Sequence, residues 1–193
     1  MKICFLDNSP IPYTSNNLNS KNIRGGENAI IHLSNELSKL GNEIVVFNSF
    51  KNICVISGVK WLNISHANKN LTYDIAFTNN DIKLFDKIIA KKYVAFSHSI
   101  QSIEKFIRKG QLFSYLKYKP KIVLLGKYHK ENRNYLLKLF GTINLEWAVD
   151  PLFLETKLDE NLIENRAIFT SRRDRNLDLL IKLWIKDIFP KNK

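Results

Sequence analysis

Cysteine, proline, glycine and acidic residues are all scarce in this sequence. Its 193 residues include two cysteines, five prolines, seven glycines and 18 acidic side chains. Two cysteines supply neither a disulfide framework nor a four-ligand zinc site from this chain alone, which favours a reducing compartment. The low proline and glycine content, together with 45% hydrophobic residues, excludes a disordered chain and indicates a packed globular fold.

Long apolar runs are also missing. A membrane span needs roughly 20 apolar residues, and no stretch of the sequence approaches that length. The N-terminal run over residues 1–6 meets Asp7 and Asn8 before a secretory signal core develops. The sequence therefore predicts a cytoplasmic protein without a membrane span. Its length predicts one full domain with a short extension.

Acidic residues are too few to balance the basic ones: 30 lysines and arginines against 18 acidic residues give a formal net charge of +12. A charge of this size suits nucleic acid, an anionic membrane surface or phosphorylated small molecules. Heavy use of Lys, Asn and Ile throughout the chain is typical of a biased coding sequence, so charge alone does not choose among these partners. No recognisable DNA- or RNA-binding motif accompanies the lysines, and no nucleic-acid partner is predicted.

Short apolar runs alternate with helical patterns along the first 150 residues. Apolar positions at helical spacing, followed by Gly41, predict a helix over 27–40. The alternation predicts an α/β domain over 1–150, with a Rossmann-like, mostly parallel sheet and helices on both faces. A polar stretch over 151–166 predicts a linker, and 167–193 predicts the beginning of a second domain. Predicted strands occupy 2–6, 43–47, 53–56, 60–64, 74–78, 93–96, 121–125, 143–147 and 167–170, and further helical patterns occupy 81–90, 128–139 and 176–189.

Two adjacent glycines, Gly25 and Gly26, separate a long polar loop over residues 8–26 from the first predicted helix. Loops of this length in compact domains are usually functional or mobile. Paired glycines let backbone amides approach a ligand, and a helix N-terminus adds positive potential, so phosphate or a sugar oxyanion suits this turn. The pattern is neither a dinucleotide fingerprint nor a P-loop, and a tight helix entry without a ligand is an equally good interpretation.

The segment over 25–47 resembles the opening helix of glycosyltransferase family 4. In that family two glycines and a glutamate precede apolar residues at helical spacing, and a glycine then precedes a His-Glu-Val strand start. Glu27, Gly41 and Glu43 match this pattern. The residue usually found between the glycines and the glutamate is missing, and Asn42 replaces the usual His, so a tighter turn is expected here.

A second part of the resemblance is a predicted strand over 93–96 that leads into His98. A His at the carboxyl end of a strand lies at the ligand-binding edge of an open α/β sheet, where it can donate a hydrogen bond to a sugar hydroxyl. In the family, a His at this place contacts the transferred sugar. A loop histidine that only caps the next helix is the alternative. The other three histidines, His32, His66 and His129, are predicted to be structural or solvent-facing.

The third part of the resemblance to this family consists of two segments that follow residue 146. Residues 147–151 are close to the Asn-Gly-Val-Asp pattern that ends the first domain in the family. Residues 169–180 are similar to the first loop of the family's second domain, where basic side chains bind the donor diphosphate. The resemblance makes Arg172 and Arg175 candidate diphosphate ligands, since guanidinium groups offer several donors in a fixed geometry. A solvated basic turn is the alternative.

The resemblance implies the N-terminal half of a GT-B fold with a truncated second domain, so that full activity needs a second-domain partner. It implies a retaining transfer of a sugar from a nucleotide-sugar donor to a glycan or lipid-linked acceptor. His98 is the expected catalytic residue, and Gly25, Gly26 and Glu27 are expected to bind donor phosphate or acceptor. No aspartate cluster for a metal is evident, so neither metal nor cofactor is expected besides the donor. A non-catalytic glycan- or partner-binding module is the alternative.

Residues 102–119 mix aromatic and aliphatic residues with lysine and arginine. Such helices can dock on an anionic bilayer, which would place the protein peripherally at the inner face of a membrane. The pattern alone favours an ordinary core helix with a solvated basic face.

Overall fold

The computed structural model describes residues 1–18, 20, 22–96, 98, 102–132, 134–146 and 176–191. Several predictions fall outside these residues: the linker over 151–166, the strand over 167–170, Arg172 and Arg175.

Chain contacts divide the protein into two compact units, Met1–Ala148 and Val149–Lys193. In the second unit the described residues form one helical stretch where a helix over 176–189 is predicted. An α-helix, Leu177–Leu183, continues into a π-helical turn, Trp184–Ile188, and then a short 3-10 turn, Phe189–Lys191. No described helix in either unit has the length and apolar character to cross a membrane.

The first unit is built on a sheet in which eight strands are described. The strands are β1 (Lys2–Leu6), β2 (Glu43–Asn48), β3 (Cys54–Ile56), β4 (Val59–Asn63), β5 (Thr72–Asn79), β6 (Ile89–Phe96), β7 (Lys121–Leu124) and β8 (Thr142–Asn144). The α-helices of this unit are α1 (Gly25–Lys39), α2 (Ile103–Arg108), α3 (Leu112–Tyr118) and α4 (Lys127–Glu131).

The strand order is β3-β4-β2-β1-β5-β6-β7-β8. Strand β3 pairs with β4 in an antiparallel hairpin, and every other neighbouring pair is parallel. The chain moves outward from β1 through β2 to the hairpin, and it then returns to place β5 on the other side of β1. The strand order therefore reverses between β1 and β5, and open α/β sheets bind ligands at the carboxyl ends of the strands at such a point.

Both faces of the sheet are buried, as the sequence predicts. Ile3 and Phe5 pack in the cluster that contains α1, whereas Cys4 and Leu6 pack in the cluster that contains Phe106 of α2 and side chains of α3. Alternate residues of the central strand thus face opposite apolar layers, which is why the strand is a continuous apolar run in the sequence. The α/β prediction with a mostly parallel sheet is confirmed.

Helix α1 begins at the paired glycines and ends before Gly41, which adopts the left-handed conformation with φ of 80°. The Asn42 side chain donates from Nδ2 to the Leu37 carbonyl oxygen at 2.9 Å. This bond satisfies a carbonyl at the helix end, so Asn42 has a structural role at the position where the resemblance expects His.

Two helical predictions are wrong in extent. Over 81–90 the structure has a short 3-10 helix, Ile82–Lys87, and then β6, because parallel pairing with β5 already begins at Thr72 and Ile89. Sheet pairing overrides the local helical pattern there. Over 128–139 the chain forms α4 and a separate 3-10 turn, Tyr135–Lys138. Asn132 ends α4 and donates from its side chain to the Tyr128 carbonyl oxygen at 3.0 Å, competing with continuation of the helix.

Candidate functional site

Three strand ends and the start of one helix converge at the carboxyl edge of the sheet. Asp7 follows β1, Asn79 is the last residue of β5, and His98 lies just beyond β6. These strands are parallel neighbours, so their carboxyl ends share one edge. Helix α1 begins at Gly25 beside them. The predicted residues Gly26 and His98 therefore meet at the reversal point of the strand order, where a ligand is expected.

Gly26 is in close contact with the sheet edge. A Cβ atom on this residue would lie 3.0 Å from Nε2 of His98 and 3.3 Å from Nδ2 of Asn79, closer than ordinary van der Waals contact. A Cβ atom on Gly25 would meet nothing within 4 Å. Only the second glycine is thus required by the approach of the helix to the sheet, and the first faces open space.

The first turn of α1 presents its backbone amides at this edge. The first helical hydrogen bond runs from the Asn28 amide to the Arg24 carbonyl oxygen at 3.0 Å, so the amides of residues 25–27 precede it. Arg24 precedes the helix in an extended conformation and supplies no side-chain cap. Amides without helical partners, together with the helix dipole, favour an anionic group at this place.

Two buried carboxylates lie behind the helix start. Asp7 is 2% exposed and Glu27 is 4% exposed. The Tyr13 hydroxyl donates to Oδ2 of Asp7 at 2.7 Å, and the Ser9 hydroxyl donates to Oε1 of Glu27 at 2.5 Å. The side chain of Glu27 thereby links the preceding loop to α1, and its predicted contact with a ligand stays a prediction.

The first part of the long polar loop is packed against the sheet. Tyr13 is fully buried and lies edge-on to Trp61, with ring centroids 5.9 Å apart. The Asn48 side chain donates to the Tyr13 carbonyl oxygen at 2.8 Å, and the Ser15 hydroxyl donates to Oδ1 of Asn35 at 2.6 Å. These contacts hold the first part of the loop against the sheet and α1.

Burial shifts the pKa values of Asp7 and His98 in opposite directions, because it disfavours the charged form of each group. Burial raises the pKa of Asp7, and the charge of Glu27 raises it further, while hydrogen bonds from Tyr13, the Ser9 amide and Asn79 act in the opposite direction. Burial also lowers the pKa of His98, and the charge of Glu27 partly opposes that change. His98 is therefore a neutral imidazole at pH 7, with one nitrogen to donate a hydrogen bond and one to accept.

The raised pKa of Asp7 makes a prediction about stability. A carboxyl whose pKa is higher in the folded state stabilises the fold below its unfolded pKa of about 4 and loses that contribution as pH rises through the folded value. Asp7→Asn cannot ionise, so its free energy of unfolding minus that of the wild type should increase as pH rises from 4 to 7. Urea unfolding at several pH values measures this difference. A difference that stays constant or decreases with pH would contradict a raised pKa for Asp7 in the folded state.

A small cavity lies between α1 and the sheet, below the edge. It is lined by apolar side chains, including Phe5 and Phe77, and by Thr78 and Asn79. Its free volume of about 10 Å³ admits one water molecule. The Thr78 hydroxyl is buried without a hydrogen-bond partner among the described residues, which suits such a water. The cavity is therefore too small to hold a sugar ring.

The other three histidines lie on α1, in the turn that follows β4, and on α4. His32 and His66 are exposed, and Nδ1 of His129 accepts a hydrogen bond from the Leu125 amide at 3.4 Å. Among the described residues no group of three or more His, Cys, Asp or Glu side chains is arranged to hold a metal ion.

Sequence reasoning missed Asp7, Ser9, Tyr13 and Asn79. A signal existed for two of them, because Asp7 and Asn79 each end a buried strand and the ends of parallel strands meet at one edge. No local pattern marks Tyr13, whose importance depends on contacts with β1, β2 and β4.

No protein-family model matches the chain, no curated protein matches it, and no solved structure matches it. A function therefore has to be inferred from the geometry of the site and from the motif resemblance.

Proposed function

We propose that the protein is a retaining glycosyltransferase of the GT-B type that takes its sugar from a nucleotide-sugar donor and passes it to a glycan or lipid-linked acceptor. The observation that supports this most is the contact of Gly26 with His98 at the strand-order reversal. A helix start whose backbone amides suit an anion lies beside a neutral imidazole there, and a phosphorylated sugar carries a partner for each.

Each group has a distinct part in the proposed reaction. The backbone amides at Gly25 and Gly26 bind a donor phosphate or an acceptor oxygen, while His98 forms a hydrogen bond with a hydroxyl of the transferred sugar. When the bond to the sugar breaks, negative charge accumulates on the departing nucleoside diphosphate. Backbone amides that are oriented before the reaction starts stabilise that charge. The motif resemblance adds Arg172 and Arg175 as proposed ligands of the donor diphosphate.

The proposal is tested by calorimetric titration with UDP-, GDP-, ADP- and dTDP-sugars. The wild type should bind at least one of them. Arg172→Ala with Arg175→Ala should weaken that binding by about tenfold or more, because each lost hydrogen bond to a charged group costs about 1.5–3 kcal/mol. If none of the donors binds, or if the double variant binds as the wild type does, the proposed donor site is wrong.

Transfer itself is measured by release of nucleoside diphosphate in the presence of glycan or lipid-linked acceptors. Nuclear magnetic resonance of the product then gives its anomeric configuration, which should be that of the donor. Glycan binding with no donor binding and no turnover would instead support the alternative, a non-catalytic binding module.

A further inference from the structure

The hairpin formed by α2 and α3 has an apolar inner side that packs on the sheet. Phe106 and Tyr115 are 1% and 2% exposed, and their rings stack with centroids 5.2 Å apart. A tight turn joins the helices, with the Gln111 amide bonded to the Phe106 carbonyl oxygen at 2.7 Å and Gly110 in the left-handed conformation. The hairpin is therefore a fixed part of the fold.

A second set of apolar side chains on the hairpin points away from the core. Phe113 is 76% exposed, Ile107 is 60% exposed and Leu116 is 50% exposed. Phe113 and Leu116 are three residues apart on α3, so they share one helix face. An ordinary core helix exposes polar residues opposite its buried stripe. The sequence pattern alone favours such a core helix. The exposed aromatic and aliphatic residues of the hairpin depart from it.

Positive charge accompanies this exposed set. Residues 103–119 contain five basic residues and one acidic residue. Arg108 and Lys109 are exposed and have no ion-pair partner in the part of the chain that the structure describes. Burial lowers the pKa of Lys105, and the charges of Lys109 and Arg108 lower it further, which places three cations close together. Lys117 is paired with Asp86 at 2.7 Å.

The hairpin is tied to the edge of the sheet that carries the candidate site. Gln111 is 5% exposed, and its Nε2 donates to the Asn80 carbonyl oxygen at 3.1 Å and to Oδ1 of Asp81 at 3.2 Å. Asn80 directly follows β5, and Asn79, the last residue of that strand, lies close to Gly26. A partner that binds the hairpin would therefore lie close to the candidate site.

We propose that this hairpin docks on an anionic lipid bilayer, with Phe113 and Leu116 entering the interface and Arg108 and Lys109 contacting the headgroups. Exposed aromatic and aliphatic groups on the same helical hairpin as two unpaired cations match the chemistry of that interface. A second copy of the chain is a poorer match, because a two-fold contact would bring the same cations together. The docking does not depend on the sugar-transfer reaction, although it would give a transferase access to lipid-linked acceptors.

Vesicle flotation tests the docking. Vesicles of phosphatidylglycerol and phosphatidylcholine should carry at least tenfold more wild-type protein than vesicles of phosphatidylcholine alone, and less at high salt. Phe113→Ser with Leu116→Ser should reduce this binding at least tenfold, and so should Arg108→Gln with Lys109→Gln. Thermal unfolding should change little for these variants, since all four side chains are exposed. Val55→Ser is the matched control. Val55 is 67% exposed on β3, the outermost strand of the sheet, which is separated in strand order from β6 and β7 on either side of the helical hairpin in the sequence.

The proposal is overturned if both vesicle types carry equal amounts of the wild type, or if the serine variant floats as the wild type does. Light scattering gives an independent result: a concentration-dependent oligomer that is lost in the serine variant would assign the surface to a second copy of this chain instead.

Discussion

Gly26→Ala is expected to reduce nucleotide-sugar binding and transfer by about tenfold to 100-fold. The added Cβ would lie 3.0 Å from Nε2 of His98, so either the imidazole or the start of α1 has to move. A misplacement of about 1 Å at a reacting centre can cost on the order of 100-fold in rate, which sets the upper end of the expected loss, and overpacking costs about 1–3 kcal/mol of stability. Calorimetry measures the loss of binding, transfer assays measure the loss of rate, and thermal unfolding measures the loss of stability.

Gly25→Ala is the matched control for this substitution. It adds the same methyl group one residue earlier, where a Cβ meets nothing within 4 Å, and it retains the backbone amide. Its effect on binding and transfer should be less than tenfold. If the two alanine variants behave alike, the contact between Gly26 and His98 is not the feature that forms the site.

His98→Ala is expected to reduce transfer by about 100-fold to 1,000-fold, which is the usual cost of removing one preorganised hydrogen-bond donor from an active site. His98→Gln keeps a donor and should recover part of the loss. His32→Ala is the control, since His32 is exposed on α1 and should change transfer by less than about twofold. Equal activity of His98→Ala and the wild type would remove His98 from the reaction.

The pH dependence of transfer separates a neutral from a protonated His98. Burial keeps the pKa of this side chain below its ordinary value of about 6.5, so the neutral form predominates at pH 7 and persists below pH 6.5. The wild-type rate should therefore fall only when pH drops below that ordinary value, and His98→Gln should not show this fall.

The sheet could be predicted from the sequence because its central strands are buried on both faces. β1 and β2 appear as short apolar runs with polar ends, and almost all of their residues are buried. Over residues 81–90 the same reasoning failed, since amphipathic spacing suits a helix as well as a 3-10 turn followed by a strand. Only the pairing of β6 with β5 decides between them, and that pairing is a tertiary contact.

For the candidate site, the sequence predicts that Gly26 and His98 occupy the edge but not how they meet. Gly26 and His98 are more than 70 positions apart, and their contact requires α1 to lie across the ends of β5 and β6. The bonds of Asp7 to Tyr13 and of Glu27 to Ser9 depend in the same way on how the polar loop folds back. The exposure of Phe113 is likewise a property of packing, because periodicity alone does not say which apolar face of a hairpin is covered.

The most direct test of the proposed donor site is nuclear magnetic resonance of the His98 imidazole and the Gly26 amide during titration with a nucleotide-sugar. Both signals should shift together as the donor binds, and the shifts should saturate at the affinity found by calorimetry. Saturable binding that leaves both signals unchanged would place the ligand elsewhere on the protein and contradict a sugar-transfer site at this edge of the sheet.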